Sequence, residues 1–406
     1  MTSTKFIQNK TALITLIAAC LVVLISLGVR QTFGLFFSDF KNDLDISLTE
    51  SGLAVGLQML MWGLSGPIFG AIADKYGGHK AIMLAFIFYI LGIYFLYSGP
   101  NTGIFFQIDM GLLVGIGLGG TAISIPMSIV GKHFPLSNRT IAMSLVTAVG
   151  SFGYFISPMY TSYSLINNGW IHTLYIFTIF LVIGLVIAFF VRSPSLSESI
   201  EKPSDQNTMS ALKEAFKTKS YVLLTAGFFV CGFHITLVGT HVPTYVIDRG
   251  LETWTAAAIL SLIGLFNIFG SLFSGYLSTK MKKKVILAAI YALRGISICL
   301  FIFLPASNIN AFIFGASFGF LWLSTVPATS GIVAQMFGTK HLGMLYGIVF
   351  LSHQIGSFFG SFLGGLFHDI YGSYDYAWYL AIALSIFAAI IHVPIKEEPV
   401  LRLKTE

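Results

Sequence analysis

Ionisable side chains inside long apolar stretches are the first feature of this sequence that could do chemistry. Arg30 lies in the first such stretch, and Asp109 lies in the fourth. A charge in hydrocarbon costs about 2.5–3.5 kcal/mol on insertion scales, so a retained charge indicates a function. Arg30 can attract an anion with Asp109 as its counter-ion, or its side chain can snorkel to the outer headgroups.

Two histidines share a third apolar stretch. His234 and His241 are seven residues apart, which places them on one face of a helix two turns from each other. Because histidine titrates near neutral pH, either ring can carry a proton or donate a hydrogen bond to an anion. Asp109 is a third candidate for carrying a proton. The alternative for each histidine is a packing role with satisfied hydrogen bonds.

Further polar side chains in the apolar stretches are predicted to complete a binding site for a small molecule. These side chains are Gln58, Tyr154, Asn267 and His353. A second intramembrane arginine, Arg294, is expected to pair with a neighbouring helix rather than to contact a substrate.

Catalytic and metal-binding patterns are absent from the sequence. It contains no His-Glu-x-x-His and no phosphate-binding Gly-x-x-x-x-Gly-Lys-Ser/Thr. The run Gly63-Leu64-Ser65-Gly66 matches the serine motif of rhomboid proteases, but Pro67 follows it directly. We therefore predict a protein that is not an enzyme and needs no cofactor or metal.

The composition tells us which medium surrounds these side chains. Of the 406 residues, 55% are hydrophobic and 10% are charged, whereas a soluble domain has about 25% charged residues. The three cysteines all fall in apolar runs, which excludes a disulfide framework. The chain is therefore a membrane protein, and the distribution of its net charge of +6 argues against nucleic-acid binding.

The sequence has twelve apolar stretches, and each is about as long as, or longer than, the roughly 20 residues that a membrane-spanning helix needs. We predict an all-α fold with spans at about 11–37, 49–72, 80–99, 103–131, 138–163, 169–192, 221–247, 254–279, 285–304, 310–336, 341–367 and 376–394. Residues 193–220, with an amphipathic stretch from Met209 to Lys219, form a linker between two six-helix bundles, 1–192 and 221–406.

The basic residues fix the predicted orientation. All of the 23 lysines and arginines except Arg30, Lys41, Arg249 and Arg294 fall in the termini or in the loops on the side of the termini. Because cytoplasmic loops carry the excess of positive charge, both termini are predicted to be cytoplasmic.

The loop between the second and third spans carries a recognisable motif. Gly70 permits close helix contact, Asp74 ends one helix within reach of Lys75 and Lys80, and Gly77 supplies a turn. This segment resembles the loop between helices 2 and 3 of the major facilitator superfamily, which implies two pseudo-symmetric six-helix bundles. The resemblance also implies that Gly70, Asp74, Lys75 and Lys80 form a conformational gate; the alternative is an ordinary charged loop.

A second segment narrows the resemblance. Lys132–Arg139, Ala142 and the run Gly150–Gly153 look like the signature of the monocarboxylate porter group, whose members carry a basic residue where this chain has Arg30. The histidine pair of span 7 and the His353-Gln354 run resemble bacterial members. The group's animal signature in span 1 and the arginine of span 8 are absent, which argues against lactate and leaves anion binding to Arg30, His234 and His241, with Arg294 as a less favoured alternative.

These resemblances imply a transporter of the bacterial inner membrane. We predict import of a small carboxylate with a proton, by alternating access of the two bundles, in a monomer whose partners are the lipid bilayer, the anion and the proton. The open alternatives are efflux of a larger amphiphilic or metal-chelating metabolite, and exchange of one anion for another.

Overall fold

The structure, a computed structural model, describes five parts of the chain: residues 10–100, 103–134, 136–192, 208–338 and 341–400. Every regular element within these ranges is a helix. The predicted linker falls partly outside them, because residues 193–207 are not among the described residues.

The number of membrane crossings agrees with the prediction. Eleven helical stretches are long and apolar enough to cross a membrane. One of them, Ile141–Ala188, has 48 residues, which suffices for two crossings, and Gly169 turns the backbone within it with a φ of 78°. The eleven stretches thus supply twelve crossings, which confirms the predicted all-α membrane fold.

The first six crossings form what we call the N-terminal half. Its helices are α1 (Lys10–Gln31), α2 (Phe37–Leu44), α3 (Leu48–Tyr76), α4 (Gly78–Ser98), α5 (Gly103–Phe106), α6 (Val114–Thr121), α7 (Ser124–His133) and α8 (Leu136–Ala188). A 3-10 turn, Phe33–Phe36, follows α1, and a π-helical segment, Gln107–Leu113, precedes α6.

The last six crossings form the C-terminal half. The amphipathic stretch of the linker folds as α9 (Thr208–Lys217) before this half begins. The helices of the half are α10 (Lys219–Asp248), α11 (Thr253–Leu277), α12 (Lys283–Phe303), α13 (Asn308–Leu321), α14 (Thr325–Phe337), α15 (Leu342–Tyr371) and α16 (Asp375–His392).

Local sequence signals explain where the second crossing begins and ends. The Ser47 hydroxyl accepts a hydrogen bond from the amide of Glu50, whose carboxylate accepts one from the amide of Ser47. This capping box satisfies two donors that the start of α3 leaves free. Gly77, with a φ of 97°, ends α3 in a conformation that favours glycine, and α4 starts at once.

The fourth crossing of each half is broken near its middle. In the N-terminal half α6 ends at Thr121 and α7 begins at Ser124, and in the C-terminal half α13 ends at Leu321 and α14 begins at Thr325. Each second piece carries a proline in its first turn, Pro126 and Pro327 respectively. Proline is tolerated there because the first amides of a helix have no partner within it. The spacing of apolar residues had predicted one unbroken span in each place.

Glycines mark the places where helices come closest. A Cβ on Gly356 of α15 would lie 1.9 Å from the carbonyl oxygen of Phe229 in α10, within the C-terminal half. A Cβ on Gly365, further along α15, would lie 2.1 Å from the carbonyl oxygen of Leu48 in α3, across the two halves. Small residues permit such approach between membrane helices, so α15 joins its own half and the other half in the same way.

Among the described residues, contacts between the two halves run from one end of the molecule to its middle. Because twelve crossings bring both termini to one face, we call that face the terminal end and the opposite face the loop end. At the loop end the Thr49 amide donates to the Asp369 carboxylate at 2.7 Å. At the terminal end a Cβ on Gly343 or Gly347 of α15 would meet nothing within 4 Å. Contacts between the halves thus close the loop end, whereas open space lies beside these two glycines at the terminal end.

Candidate functional site

Arg30 lies at the junction of the two halves, where α1 ends. Its side chain is only 8% exposed. One guanidinium nitrogen, Nη2, lies 3.3 Å from Met59 Sδ, and the other, Nη1, lies 3.4 Å from Gln31 Oε1. The hydroxyl of Tyr154 neighbours the guanidinium. Among the described residues no carboxylate lies within 4 Å of it, so a full positive charge is buried with weak acceptors alone.

Asp109, the predicted counter-ion of Arg30, is not paired with it. Asp109 lies in the π-helical segment and is 5% exposed. This segment packs on α3 and α4, where a Cβ on Gly92 would lie 2.6 Å from the Asp109 carbonyl oxygen. Arg30 points to Met59 at the centre of the bundle instead, so the pairing that the sequence suggested is wrong.

A chain of contacts leads from Arg30 into the C-terminal half. The Gln354 side chain donates from Nε2 to the carbonyl oxygen of Met59 at 2.9 Å, which is a hydrogen bond between α15 and α3. His353 Nδ1 lies 3.1 Å from Gln354 Oε1. The His353 ring stacks on Phe350 and is 8% exposed. Met59 therefore contacts Arg30 through its sulfur and Gln354 through its carbonyl oxygen, and Gln354 in turn contacts His353.

Asn267 forms a second polar link between the halves. Its Nδ2 donates to Ser151 Oγ of α8 at 3.0 Å, and its Oδ1 accepts from the amide of Leu323 at 3.0 Å. Leu323 lies in the break between α13 and α14. Asn267 thus connects α8 of the N-terminal half to the broken fourth crossing of the C-terminal half, and its Oδ1 also accepts from Ser271 Oγ at 3.2 Å.

Gln58 is placed away from this junction. Its Nε2 donates to the carbonyl oxygen of Met110 at 3.1 Å, and the side chain is fully buried. This contact joins α3 to the π-helical segment inside the N-terminal half. Tyr154 is the remaining predicted lining residue, and it lies beside Arg30 as described above.

The two histidines of α10 bond to other helices of their own half. His234 Nε2 lies 2.8 Å from the carbonyl oxygen of Ala381 in α16, and His241 Nε2 lies 2.6 Å from that of Ser361 in α15. A carbonyl oxygen can only accept, so each Nε2 carries a proton. Within the part of the chain that the structure describes, the Nδ1 of His234 has no partner, while that of His241 lies 3.2 Å from the Tyr374 hydroxyl.

Helix α10 is surrounded on all sides, which explains these positions. Every residue from Val230 to Val246 is buried, so burial of a histidine there does not indicate which neighbour it faces. His241 also contacts the ring of Phe37 from the N-terminal half, with 5.7 Å between ring centroids. His241 lies at the closed loop end, and its predicted roles in anion and proton binding stay predictions, as do those of His234.

Comparison with known proteins identifies the architecture. The sequence profile described as Major Facilitator Superfamily matches residues 19–325. The chain belongs to the major facilitator superfamily. It is therefore a secondary transporter that moves a small molecule across a membrane by alternating access of its two halves, and it is not an enzyme.

Individual relatives of this major facilitator are distant. The chain is 23% identical to monocarboxylate transporter 13 of Rattus norvegicus over 361 residues, covering 87% of this chain and 82% of that protein. It is 25% identical to the sialic acid transporter NanX of Escherichia coli (strain K12), covering 86% and 83%. A bacterial homologue of the human lysosomal transporter Spinster, solved inward-facing and unoccupied, has a TM-score of 0.76 at 15% identity, covering 95% and 97%.

The predicted gate residues of this major facilitator lie together on the terminal end of the N-terminal half. Asp74 pairs with Lys132 Nζ at 2.7 Å, rather than with Lys75 or Lys80 as the sequence suggested. The Nζ of Lys75 lies over the ring of Tyr76 instead. A Cβ on Gly70 would touch only Ile125 of α7.

Arg294 holds the broken crossing of the C-terminal half. Its Nη2 donates to the carbonyl oxygens of Leu321 at 2.8 Å and Trp322 at 2.5 Å, and its Nε to that of Leu321 at 3.3 Å. These carbonyls end α13 and have no partner within the helix. Arg294 therefore pairs with a neighbouring helix end, as expected.

The sequence did not reveal the polar contacts that close the loop end. Asp369 Oδ2 accepts from the amide and the hydroxyl of Thr49, at 2.7 Å and 2.6 Å. His368 Nε2 lies 3.0 Å from Asp248 Oδ2, between α15 and α10. The pattern His368-Asp369 just before the end of an apolar stretch was the available signal, because charged groups there must find partners or water.

Proposed function

We propose that this transporter carries a small organic anion with one carboxylate, and that Arg30 is the cation that binds it. The observation that supports this most is the unpaired, buried guanidinium at the junction of the halves. An arginine cannot lose its proton inside a protein, and a buried charge is costly without a partner of opposite sign. A carboxylate substrate would provide that partner for part of the transport cycle.

The position of Arg30 fits alternating access. Substrate sites of such carriers lie near the middle of the membrane between two halves that rock against each other. Arg30 and Tyr154 belong to the N-terminal half, whereas Gln354 reaches Met59 from the C-terminal half. A bound carboxylate would meet donors from both halves, so its binding would be sensitive to their relative position.

The names of the relatives agree with an acidic substrate. One is named for monocarboxylates and the other for sialic acid, and both compounds carry a carboxylate. We place the protein in the bacterial inner membrane with both termini in the cytoplasm, following the distribution of its lysines. In that orientation the open terminal end faces the cytoplasm, and substrate uptake ends with release on that side.

Counterflow into proteoliposomes tests this proposal. Proteoliposomes that contain the wild-type protein and are loaded with an unlabelled carboxylate should concentrate the labelled compound. A panel of mono- and dicarboxylates, sugar acids and uncharged analogues should reveal the substrate. Arg30→Ala should reduce the rate by about 100-fold, since truncation of a buried charged partner costs about 2–5 kcal/mol. Lys41→Ala, which removes an exposed cation of α2, is the matched control and should leave the rate unchanged.

Failure of the proposal has a definite form. Counterflow of uncharged analogues without any carboxylate, or an Arg30→Ala protein that transports a carboxylate at the wild-type rate, would contradict it. Export of a large amphiphile in the same vesicles, with no carboxylate counterflow, would instead support the efflux alternative.

A further inference from the structure

A buried cysteine lies where four helices of the C-terminal half meet. Cys231 of α10 is fully buried. Its Sγ lies 3.2 Å from the Thr325 hydroxyl at the start of α14, and Arg294 Nη2 of α12 donates to it at 3.5 Å. His353 of α15 neighbours the same sulfur: its backbone packs on Gly232, the residue after Cys231, and its ring lies 5.0 Å from that of Phe228 on α10. Three hydrogen-bonding side chains thus converge on one thiol.

The charge of Arg294 is only partly balanced by its carbonyl partners. The C-terminus of a helix such as α13 offsets roughly half a unit of positive charge. No carboxylate of the described residues lies within 4 Å of the guanidinium, and its Nη1 has no partner. Of the side chains that accept a hydrogen bond from Arg294 among the described residues, the Cys231 thiol is the one that can become an anion.

The remaining ionisable neighbours of Cys231 are engaged otherwise. Tyr291 of α12 adjoins the sulfur but donates its hydroxyl proton to the carbonyl oxygen of Gly227 at 2.7 Å. Tyr346 of α15 faces the same region. His234 lies near Arg294, and its Nε2 donates a hydrogen bond to the carbonyl oxygen of Ala381. His353 is the remaining neighbour of Cys231, and its ring also borders the junction of the halves.

His353 connects the thiol to the anion site. Its Nδ1 lies next to Gln354 Oε1, and the Nε2 of Gln354 donates to Met59, whose sulfur touches Arg30. Because His353 is 8% exposed at the junction, it can exchange a proton with water there, whereas Cys231 cannot. A proton can therefore pass from the junction to a ring nitrogen of His353 and from that ring to the sulfur.

We propose that Cys231 and His353 together hold the proton that is coupled to transport, with Arg294 stabilising the thiolate when the proton has left. Cysteine–histidine pairs of this kind titrate as a unit. In the step itself the S–H bond forms as the N–H bond of the His353 ring breaks, and no electrons are transferred. This inference rests on the proposed function, because it assigns a proton to the same carrier.

Transport with and without a pH gradient tests the proposal. Counterflow exchanges substrate without net proton movement, so Cys231→Ser should keep it within about twofold, whereas accumulation driven by a pH gradient should fall about tenfold, a typical coupling between two sites. Cys299→Ser is the control and should keep both activities. Gradient-driven accumulation by Cys231→Ser at the wild-type level would overturn the proposal.

An infrared measurement keeps the test independent of the substrate. In a Cys20→Ser/Cys299→Ser background the S–H stretching band belongs to Cys231 alone, and it should grow as the pH is lowered from about 9 to about 5, the range in which cysteine and histidine ordinarily titrate. His353→Gln should change the pH dependence of the band. An S–H band of constant intensity would overturn the proton site while leaving the carboxylate carrier intact. If the band changes with pH but the wild-type protein shows no counterflow of any carboxylate, the proposed carrier function is refuted instead.

Discussion

Two buried arginines, Arg30 and Arg294, both lie within long apolar stretches of the sequence but have different surroundings in the structure. Arg294 lies inside the C-terminal half, where its nitrogens donate to the carbonyl oxygens that end α13. Arg30 lies between the halves, with a thioether at 3.3 Å, an amide oxygen at 3.4 Å and the Tyr154 hydroxyl as its neutral neighbours. The first guanidinium is anchored by backbone carbonyl oxygens within one half, whereas the second has weaker acceptors and lies where the halves meet.

The same distinction separates other contacts of this transporter. Contacts inside one half, such as α10 against α15 at Gly356, persist while the halves rock. Contacts between the halves, such as Gly365 against Leu48 and Asp369 against Thr49, must break whenever the loop end opens. A residue of the first kind should govern folding, and one of the second kind should govern the conformational equilibrium or substrate binding.

The largest effect on stability is expected at Arg294. Arg294→Leu leaves the carbonyl oxygens of Leu321 and Trp322 without donors, and removal of a buried charged partner costs about 3–5 kcal/mol. Arg30→Leu removes a charge that has no counter-ion, so it should not lower the unfolding free energy. Thermal unfolding in detergent compares the two variants. Equal destabilisation by both would break the distinction between them.

A medium effect is expected from closing the space between the halves. Gly365→Val would force side-chain atoms into the carbonyl oxygen of Leu48, and overpacking costs about 1–3 kcal/mol. This cost falls only on the state with a closed loop end, so the population of that state should drop by about tenfold. Distances between spin labels on the two halves measure the shift.

A matched variant, Gly356→Val, separates glycine contacts within one half from glycine contacts between the halves. Gly356→Val meets Phe229 inside one half, so it should lower the melting temperature without favouring either state. Spin-label distances that shift equally for Gly356→Val and Gly365→Val would show that the location of the contact does not matter.

The smallest effect is expected at Asp369. Its carboxylate caps the start of α3 from the other half, and a helix cap contributes about 0.5–2 kcal/mol. Asp369→Asn weakens this cap and should favour opening of the loop end. In a Leu48→Cys background the rate of thiol labelling should therefore rise by a few-fold. Asp74→Asn removes an exposed ion pair inside the N-terminal half, which contributes about 0–1 kcal/mol, and should leave that rate unchanged.

The sequence predicted the fold because hydrophobic length is a local property. Twelve apolar stretches and the position of Arg30 can be counted from the residues alone. The direction of a side chain on a fully surrounded helix cannot, which is why the sequence did not show that His234 and His241 bond to the carbonyl oxygens of Ala381 and Ser361.

The partners of charged residues also depended on tertiary structure. Asp74 meets Lys132, which lies 58 residues away in the sequence, and no local spacing indicates that pair. The broken fourth crossings had a signal that can be read in the sequence, since Pro126 and Pro327 interrupt otherwise apolar stretches and proline disfavours a helix interior.

Binding of the substrate to purified protein tests the central claim most directly. Isothermal titration of the wild-type protein with the carboxylate found by counterflow gives its Kd, and the same titration is made with Arg30→Gln, which keeps a polar side chain without the charge. Our account predicts that Arg30→Gln raises the Kd at least about 30-fold, a loss of about 2 kcal/mol. An unchanged Kd in Arg30→Gln would contradict it.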